Sequence, residues 1–318
     1  MNYKFDNAEY EPYFGFSRSF EKIKENIGAA AQYNCAVLIL GESGTGKGVI
    51  ARWIHNNSPR SAQAFVDINC SGFSGELLRS ELFGHAAGAF TGAIRDRQGL
   101  IEEADGGTLF LDEIGNMDIG LQCMLLKTIE EKTYRRIGEN KMRTSNFRLI
   151  CATNRDLPDA VKKGAFREDL YYRINTMAIS IPPLRARKED IPGLANSILE
   201  MMGYDRFPVR GDVMDTLMRR YWHGNIRELR NALENAMVFA RGDALSPEHF
   251  SSLNGAAEFW SDSRAELVWA REDPWNLDDL ENAHIKRALE YFGNNKVKVS
   301  AALGIAPSSL YRKLKATR

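Results

Sequence analysis

The chain has 318 residues, 44% of them hydrophobic, and its 42 basic and 42 acidic residues cancel to a formal net charge of zero. At about 150 residues per domain that length suggests two or three domains with real cores, and whole-chain charge singles out no partner. Four scattered cysteines (Cys35, Cys70, Cys123, Cys151) exclude a paired zinc or disulfide framework and fit a reducing compartment; no apolar run approaches the ~18 residues of a membrane span, and the start lacks a signal peptide's apolar core, so a cytoplasmic protein is expected.

Residues 1–14 are polar with several aromatics and read as a short arm. Phe20 to Ala31 has helical spacing. Val37 to Leu40 is an apolar run that reads as a buried strand. It runs into Gly41-Glu42-Ser43-Gly44-Thr45-Gly46-Lys47, and Gly48 to His55 reads as a helix. Gly41, Gly44 and Gly46 let the backbone curl so that its N–H groups converge on phosphate oxygens. Lys47 adds a cation and the helix start adds a positive dipole end. The general pattern has Ser or Thr after the lysine to hold Mg²⁺ through a hydroxyl. Here that residue is Gly48, so a metal must lean on other groups.

Further strands are expected at Ala64 to Asn69, Gly107 to Asp112, Arg148 to Ala152 and Thr176 to Ile181, with helices at Glu76 to Phe83 and Leu121 to Glu131 between them. Continuous apolar strands alternating with helices predict an α/β unit (15–185) whose parallel sheet is covered on both faces. After Pro183 the pattern is helical only, giving a smaller helical unit at 186–250. Residues 251–275 lack periodicity and read as a linker, although they hold Trp260, Trp269 and Trp275. Leu277 to Phe292, Val297 to Leu303 and Ser308 to Lys315 read as three helices, with the turn Gly304-Ile305-Ala306-Pro307 between the last two.

Asp112-Glu113 ends an apolar strand about 70 residues after the phosphate loop. That is where an ATPase carries its second half: the aspartate holds Mg²⁺ through water, and the glutamate polarises the attacking water. Thr153 and Asn154 end the next strand, where polar groups can sit between Glu113 and a γ-phosphate. Arg167 and Arg173 are six residues apart, so on a helix they do not share one face. Such arginines can reach a neighbouring subunit's nucleotide.

Taken with these motifs, Gly88-Ala89-Phe90-Thr91-Gly92-Ala93 is specific enough to carry a resemblance. The chain resembles bacterial enhancer-binding proteins, the AAA+ activators of sigma-54 RNA polymerase in the NtrC-like group, over about residues 12–250 and 276–318. The resemblance implies an AAA+ P-loop sheet with a helical lid, and a loop, inserted in a helix, that touches sigma-54 through Phe90 and Thr91. It implies Asp112 and Glu113 as the Mg²⁺ and hydrolysis pair, and Asn69 as the asparagine that restrains Glu113. Thr153 and Asn154 match the first sensor, Arg167 and Arg173 the trans-acting arginines, and Arg227 the lid arginine. ATP and Mg²⁺ are the implied cofactors. A homo-oligomeric ring, a hexamer as in the family, is the implied assembly.

Three positions depart from the family pattern: Gly48 stands for an acidic residue, Ala86-Ala87 for a charged pair before the loop, and His223 for a proline. Many relatives carry an N-terminal receiver or sensory domain, and here the core begins almost at once. Control by a separate protein or by expression level is the resulting expectation.

The C-terminal helices resemble a Fis-type helix-turn-helix. Residues 294–318 hold six Lys or Arg and no acidic side chain. Ser308, Ser309, Tyr311, Arg312 and Lys315 of the last helix are the candidate contacts to enhancer DNA. Two rivals stand beside the sigma-54 activator. One is an AAA+ DNA-binding regulator acting without sigma-54, disfavoured by the intact Gly88–Ala93 loop. The other is a remodelling ATPase with a protein-binding C-terminus, disfavoured by the basic tail.

Overall fold

The computed structural model describes residues 15, 17–204, 209, 211–241, 243–253, 284–285, 288–289, 293 and 295–316. Two compact units divide the chain, Met1–Ser251 and Ser252–Arg318. The strands of the first are β1 (Val37–Leu40), β2 (Phe65–Asn69), β3 (Thr108–Asp112), the short pair β4 (Thr133–Tyr134) and β5 (Arg143–Thr144), β6 (Arg148–Thr153) and β7 (Met177–Ser180). Five of them form one sheet in the order β2-β3-β6-β1-β7, and every pairing is parallel.

Helices cover both faces: α1 (Arg18–Gln32), α2 (Lys47–Asn56), α3 (Gly75–Phe83), α4 (Leu100–Glu103), α5 (Ile119–Glu131), α6 (Leu157–Lys162) and α7 (Glu168–Ile174). The two-residue period of a strand decides which residue meets which helix. In β1, Val37 and Ile39 join Phe20 and Ile27 of α1 and Ile50 and Ile54 of α2. Leu38, between them, joins Leu78 and Leu82 of α3 and Leu125 of α5 on the opposite face. Two buried faces explain why these strands are apolar throughout rather than alternating.

All five expected strands form, each within a residue of the expected bounds. The β4–β5 hairpin was not legible, because its strands are two residues each and its tip, residues 135–142, is charged and aperiodic. What holds it is ionic: Arg136 (2.8 Å) and Arg143 (3.4 Å) both pair with Glu102 of α4, and the Tyr134 hydroxyl donates to the same carboxylate at 2.9 Å. Burial pushes the Glu102 carboxyl upward, but the bonds from Arg136 and Tyr134 outweigh it and hold the pKa below the usual range.

After β7 the chain is helical, with α8 (Ile191–Met201), α9 (Gly211–Arg219) and α10 (Asn225–Ala240). This lid is tied to α1 through a buried carboxylate. The Ser17 amide (2.8 Å) and hydroxyl (2.9 Å) both donate to Asp190, which is fully buried. Arg187, 3% exposed, lies 3.9 Å from the same carboxylate, and its guanidinium covers the Phe20 ring at 4.5 Å. Burial drives the Arg187 pKa down to about 10, with Asp190 opposing the fall. A side chain at Gly15, whose φ is +103°, would overlap Asp190.

In the second unit, α11 (Lys296–Ala302) and α12 (Pro307–Ala316) meet across Gly304, which turns the chain with φ +65°. Pro307 opens α12, the helix position where its missing N–H costs nothing. Val299 and Leu310 bury against Ile285, with Leu303, Ile305 and Leu314 packed on them. Residues 284, 285, 288 and 289 are helical, within the helix expected at Leu277 to Phe292. The expected arm at 1–14, residues 254–275 of the expected linker and the three tryptophans of that linker lie outside the described residues.

Replacing Asp190 by Ala leaves the buried Arg187 without its carboxylate. The expected loss is about 3–5 kcal/mol of unfolding free energy, read from urea denaturation. Asp190→Asn keeps an acceptor for the Ser17 amide and loses less.

Candidate functional site

The site is assembled where β1, β3 and β6 end, at the carboxyl edge of the sheet, the usual place for a ligand in an open parallel sheet. The loop leaving β1 is anchored at once: the Gly41 amide donates to the Thr153 carbonyl of β6 at 3.3 Å. Gly44 (φ +80°) and Gly46 (φ +97°) take left-handed backbone conformations that other residues adopt only at a cost. Lys47 then opens α2. The first N–H groups of a helix have no acceptor within it, and the dipole favours an anion there. The Lys47 side chain is 6% exposed. Its Nζ donates to the carbonyls of Gly41 (2.9 Å) and Glu42 (3.3 Å) and lies 3.5 Å from Glu113 Oε1.

At Gly48 a Cβ would meet only Phe110, at 3.8 Å, so nothing steric demands glycine there. The Thr45 hydroxyl does not replace the missing one, since Thr45 is buried and donates to the Glu42 carbonyl at 2.8 Å.

Asp112 and Glu113 face different partners. Asp112 Oδ1 accepts from the Glu113 amide at 3.0 Å, and Oδ2 accepts from Asn69 Nδ2 at 3.4 Å. Glu113 has a left-handed backbone (φ 53°), which turns its carboxylate to Lys47 and to the Asn154 amide, 3.2 Å from Oε2. Asn69 is thus bonded to Asp112, not to the expected Glu113. The register explains it, since Asn69 and Asp112 are opposite partners on β2 and β3 while Glu113 lies past the strand end. Thr153 also departs from expectation. Its hydroxyl is buried and accepts from the Arg155 amide at 3.1 Å, so Asn154 alone of the pair meets Glu113.

Desolvation raises the Asp112 pKa above the usual 3.8, the Glu113 charge raises it further, and Lys47 and Arg227 oppose. The same pair acts on a neighbouring thiol: burial first, then Asp112 and Glu113, push Cys70 up to about 12.

The lid touches the loop directly. The amides of Ile226 (2.9 Å) and Arg227 (3.3 Å) donate to the Gly44 carbonyl, and Arg227 Nη1 donates to the Ser43 hydroxyl at 2.8 Å. Arg167 and Arg173 sit at the two ends of α7. Arg167 pairs with Asp169 at 2.6 Å, and Arg173 is exposed in the last turn. Within one chain no described hydrogen bond or ion pair joins either to Lys47, Asp112 or Glu113.

Between α3 and α4 the helix is interrupted by an insert. Its neck is a bridge in which the His85 amide donates to the Arg97 carbonyl (3.0 Å) and the Arg97 amide donates back (2.8 Å). The Ala86 amide donates to Ile137 of the β4–β5 hairpin at 2.9 Å. At the tip, the Gly88 amide donates to the Ala93 carbonyl (2.8 Å), and the Ala93 amide to that of Phe90 (3.0 Å). Phe90 is 42% exposed and stands edge-on to the His85 ring at 4.9 Å, while Thr91 is exposed. The alanines at 86 and 87 do not leave the loop loose, because the Ala87 amide donates to Asp96 at 2.8 Å.

Residues 13–180, more than half the chain, match the family described as the sigma-54 interaction domain. The chain belongs to the sigma-54 activator family. Further stretches of this family member match an AAA+ ATPase lid domain (185–263) and the Fis family of bacterial regulatory proteins (276–316). It is similar to the Nif-specific regulatory protein of Azotobacter vinelandii (42% identical, covering 93% of this chain and 57% of that one). The transcriptional regulatory protein ZraR of Klebsiella oxytoca is 43% identical over 94% of this chain and 68% of its own length. The chain thus spans roughly three fifths to two thirds of these relatives. Among solved structures it is similar to NtrX of Brucella abortus in complex with ATP. The TM-score is 0.68 and the identity 29%, covering 97% of this chain and 70% of the other.

A magnesium ion fits the donor set at the end of β3. Mg²⁺ prefers one or two carboxylates completed by phosphate oxygens and water, and Asp112 offers a half-buried carboxylate beside the lysine that would hold those phosphates. In α12 of the activator, Ser308 and Arg312 are exposed, and Tyr311 and Lys315 lie on the same helix. Among the described residues no helix is long and apolar enough to cross a membrane, and no cluster of three or more His, Cys, Asp or Glu offers another metal site.

A carboxyl raised by burial contributes stability only below its ordinary pKa, and the fold loses that contribution as the pH climbs through the raised value. Asp112→Asn removes the penalty. The variant is expected to unfold at higher temperature than the parent near neutral pH. The gain should shrink on acidification and vanish below pH 3.8, as read by thermal melts across pH.

Proposed function

We propose that this chain activates transcription from sigma-54 promoters by hydrolysing ATP in a ring of identical subunits. The observation that carries the reading is the pairing, in one polypeptide, of a glycine-rich phosphate loop whose Lys47 faces Glu113 with an intact Gly88–Ala93 loop that exposes Phe90 and Thr91.

In this reading the amides from Gly41 to Gly48 and the Lys47 ammonium hold the triphosphate, and Arg227 closes over it from the lid. Glu113 orients and polarises the attacking water, a role supported by its contacts to Lys47 and the Asn154 amide. Asp112 would hold a bound Mg²⁺, which would supply neutralisation of the phosphate charge. Asn69 steadies Asp112. Arg167 and Arg173, which make no contact with their own chain's site, serve the neighbouring subunit's nucleotide. That division of labour supports a ring, read here as a hexamer after the family, since no described bond joins Arg167 or Arg173 to Lys47, Asp112 or Glu113 of the same chain. Thr153 supports the site by fixing the Gly41 amide.

The output of the cycle is movement of the Phe90 loop against sigma-54, remodelling the closed polymerase complex so that DNA melts. Ser308, Ser309, Tyr311, Arg312 and Lys315 anchor the ring at enhancer DNA and raise its local concentration at the promoter. A cytoplasmic location completes the reading.

Open-complex formation on a sigma-54 promoter tests it. The intact chain with ATP is expected to melt the promoter. Thr91→Ala is expected to keep ATP turnover and lose melting. Turnover without melting by the intact chain would assign the protein instead to regulators that act without sigma-54. For the DNA contacts, Arg312→Ala is expected to weaken binding and flatten the slope of log affinity against log salt by about 0.9, measured by gel-shift titration.

A further inference from the structure

Asn225 has no part in the chemistry described so far, yet its surroundings are the most constrained in the lid. It is fully buried and opens α10 with a left-handed backbone (φ 54°). Asparagine tolerates that conformation better than most residues. Its side-chain amide has four partners, one of them the His223 carbonyl just before it, to which Nδ2 donates at 3.4 Å. Oδ1 accepts from the Leu184 amide at 2.7 Å, in the turn that links β7 to the lid. Nδ2 donates to Glu42 Oε2 at 3.2 Å and to the Ser43 carbonyl at 3.0 Å, both in the phosphate loop. Sheet exit, phosphate loop and lid helix therefore meet on one side chain.

The partners are fixed in turn. Glu42 receives both Nη atoms of Arg185, the residue after Leu184, and the Arg185 guanidinium covers the Tyr221 ring at 5.2 Å. Tyr221 stacks on His223 with ring centres 4.4 Å apart. Immediately after Asn225, the Ile226 and Arg227 amides close on Gly44. A side chain at Gly44 would overlap the Gly224 carbonyl, so the loop and the start of α10 are in contact with no room between them.

We infer that Asn225 is the positioning residue that couples the conformation of the phosphate loop to the angle of the lid. Any shift of Glu42 and Ser43 as phosphate enters is passed through Nδ2 to the first turn of α10, and so to Arg227. Oδ1 holds the pivot against the sheet. The asymmetry of the amide is the essential feature: one end must accept and the other must donate.

This inference rests on the ATP-binding reading above, and the experiment separates the two. Binding of a fluorescent ATP analogue, steady-state ATP turnover, and hydrogen exchange at the first turn of α10 are measured on the full chain. The variants are Asn225→Asp, Glu42→Gln, the double variant, and Asn225→Gly, which accepts the left-handed backbone but has no amide. Circular dichroism confirms that each is folded. In the parent, nucleotide is expected to protect the Ile226 and Arg227 amides. Asn225→Asp puts a carboxylate oxygen against Glu42 and the Ser43 carbonyl. It should raise KM about tenfold or more, as expected for a lost donor facing a charged acceptor, and abolish the nucleotide-dependent protection. Asn225→Gly should lose the protection as well. Adding Glu42→Gln to Asn225→Asp restores a donor between the two side chains and should return KM to that of Glu42→Gln alone. Additive losses in the double variant, or unchanged protection in Asn225→Asp and Asn225→Gly, would overturn the pivot. A parent chain that binds no nucleotide would instead overturn the ATP-binding reading itself.

Discussion

The contact between the phosphate loop and the lid governs this molecule. Gly44 accepts two amides from the first turn of α10 while its own α-carbon lies against the Gly224 carbonyl. Helix N-termini are natural anion sites, and the chain has two of them at this place. That of α2 is left for phosphate. That of α10 is satisfied by a loop carbonyl, and the Arg227 side chain beside it donates to the Ser43 hydroxyl. A single carbonyl thereby decides which helix start is left open to an anion.

Around that contact the site is held at some expense. Burial and then the Glu113 charge raise the Asp112 pKa, and Glu113 occupies a backbone region that costs a non-glycine residue of order 1–3 kcal/mol. The sheet supplies the rigidity that makes this tolerable. β3 and β6 are buried along almost their whole length; Asp112 is the last residue of β3, and Glu113 follows it directly. The strand order also places β1 between β6 and β7, so the loop is gripped from one side by Thr153 and from the other by the turn carrying Leu184 and Arg185.

Much of this was legible in the sequence because it rests on local signals. Glycine spacing after an apolar run marks the phosphate loop, Leu-Phe-Leu-Asp-Glu marks the second acid pair, and the six-residue loop marks the insert. What the sequence hid depends on register and on long-range burial. That Asn69 meets Asp112 follows from the β2–β3 pairing, and that Thr153 turns inward follows from its place on β6; neither can be read from spacing. Asp190, Arg187 and Ser17 are an ordinary Asp, Arg and Ser on the page, and only folding across more than 170 residues shows them to be one buried cluster. Asn225 was passed over for its neighbour Arg227, since its signal is a buried left-handed asparagine and burial is not written locally.

The insert between α3 and α4 has a further consequence. Its neck is closed by its own bridge from His85 to Arg97, and its tip is closed by the bonds among Gly88, Phe90 and Ala93. The β4–β5 hairpin buttresses one side; a Cβ at Gly138 would fall 2.6 Å from Ala89. The tip therefore has internal cohesion that owes nothing to the sheet. It behaves as a detachable tool on a fixed handle: the residues that choose a partner can vary while the engine beneath keeps its register, and the engine can be retuned without redrawing the tool.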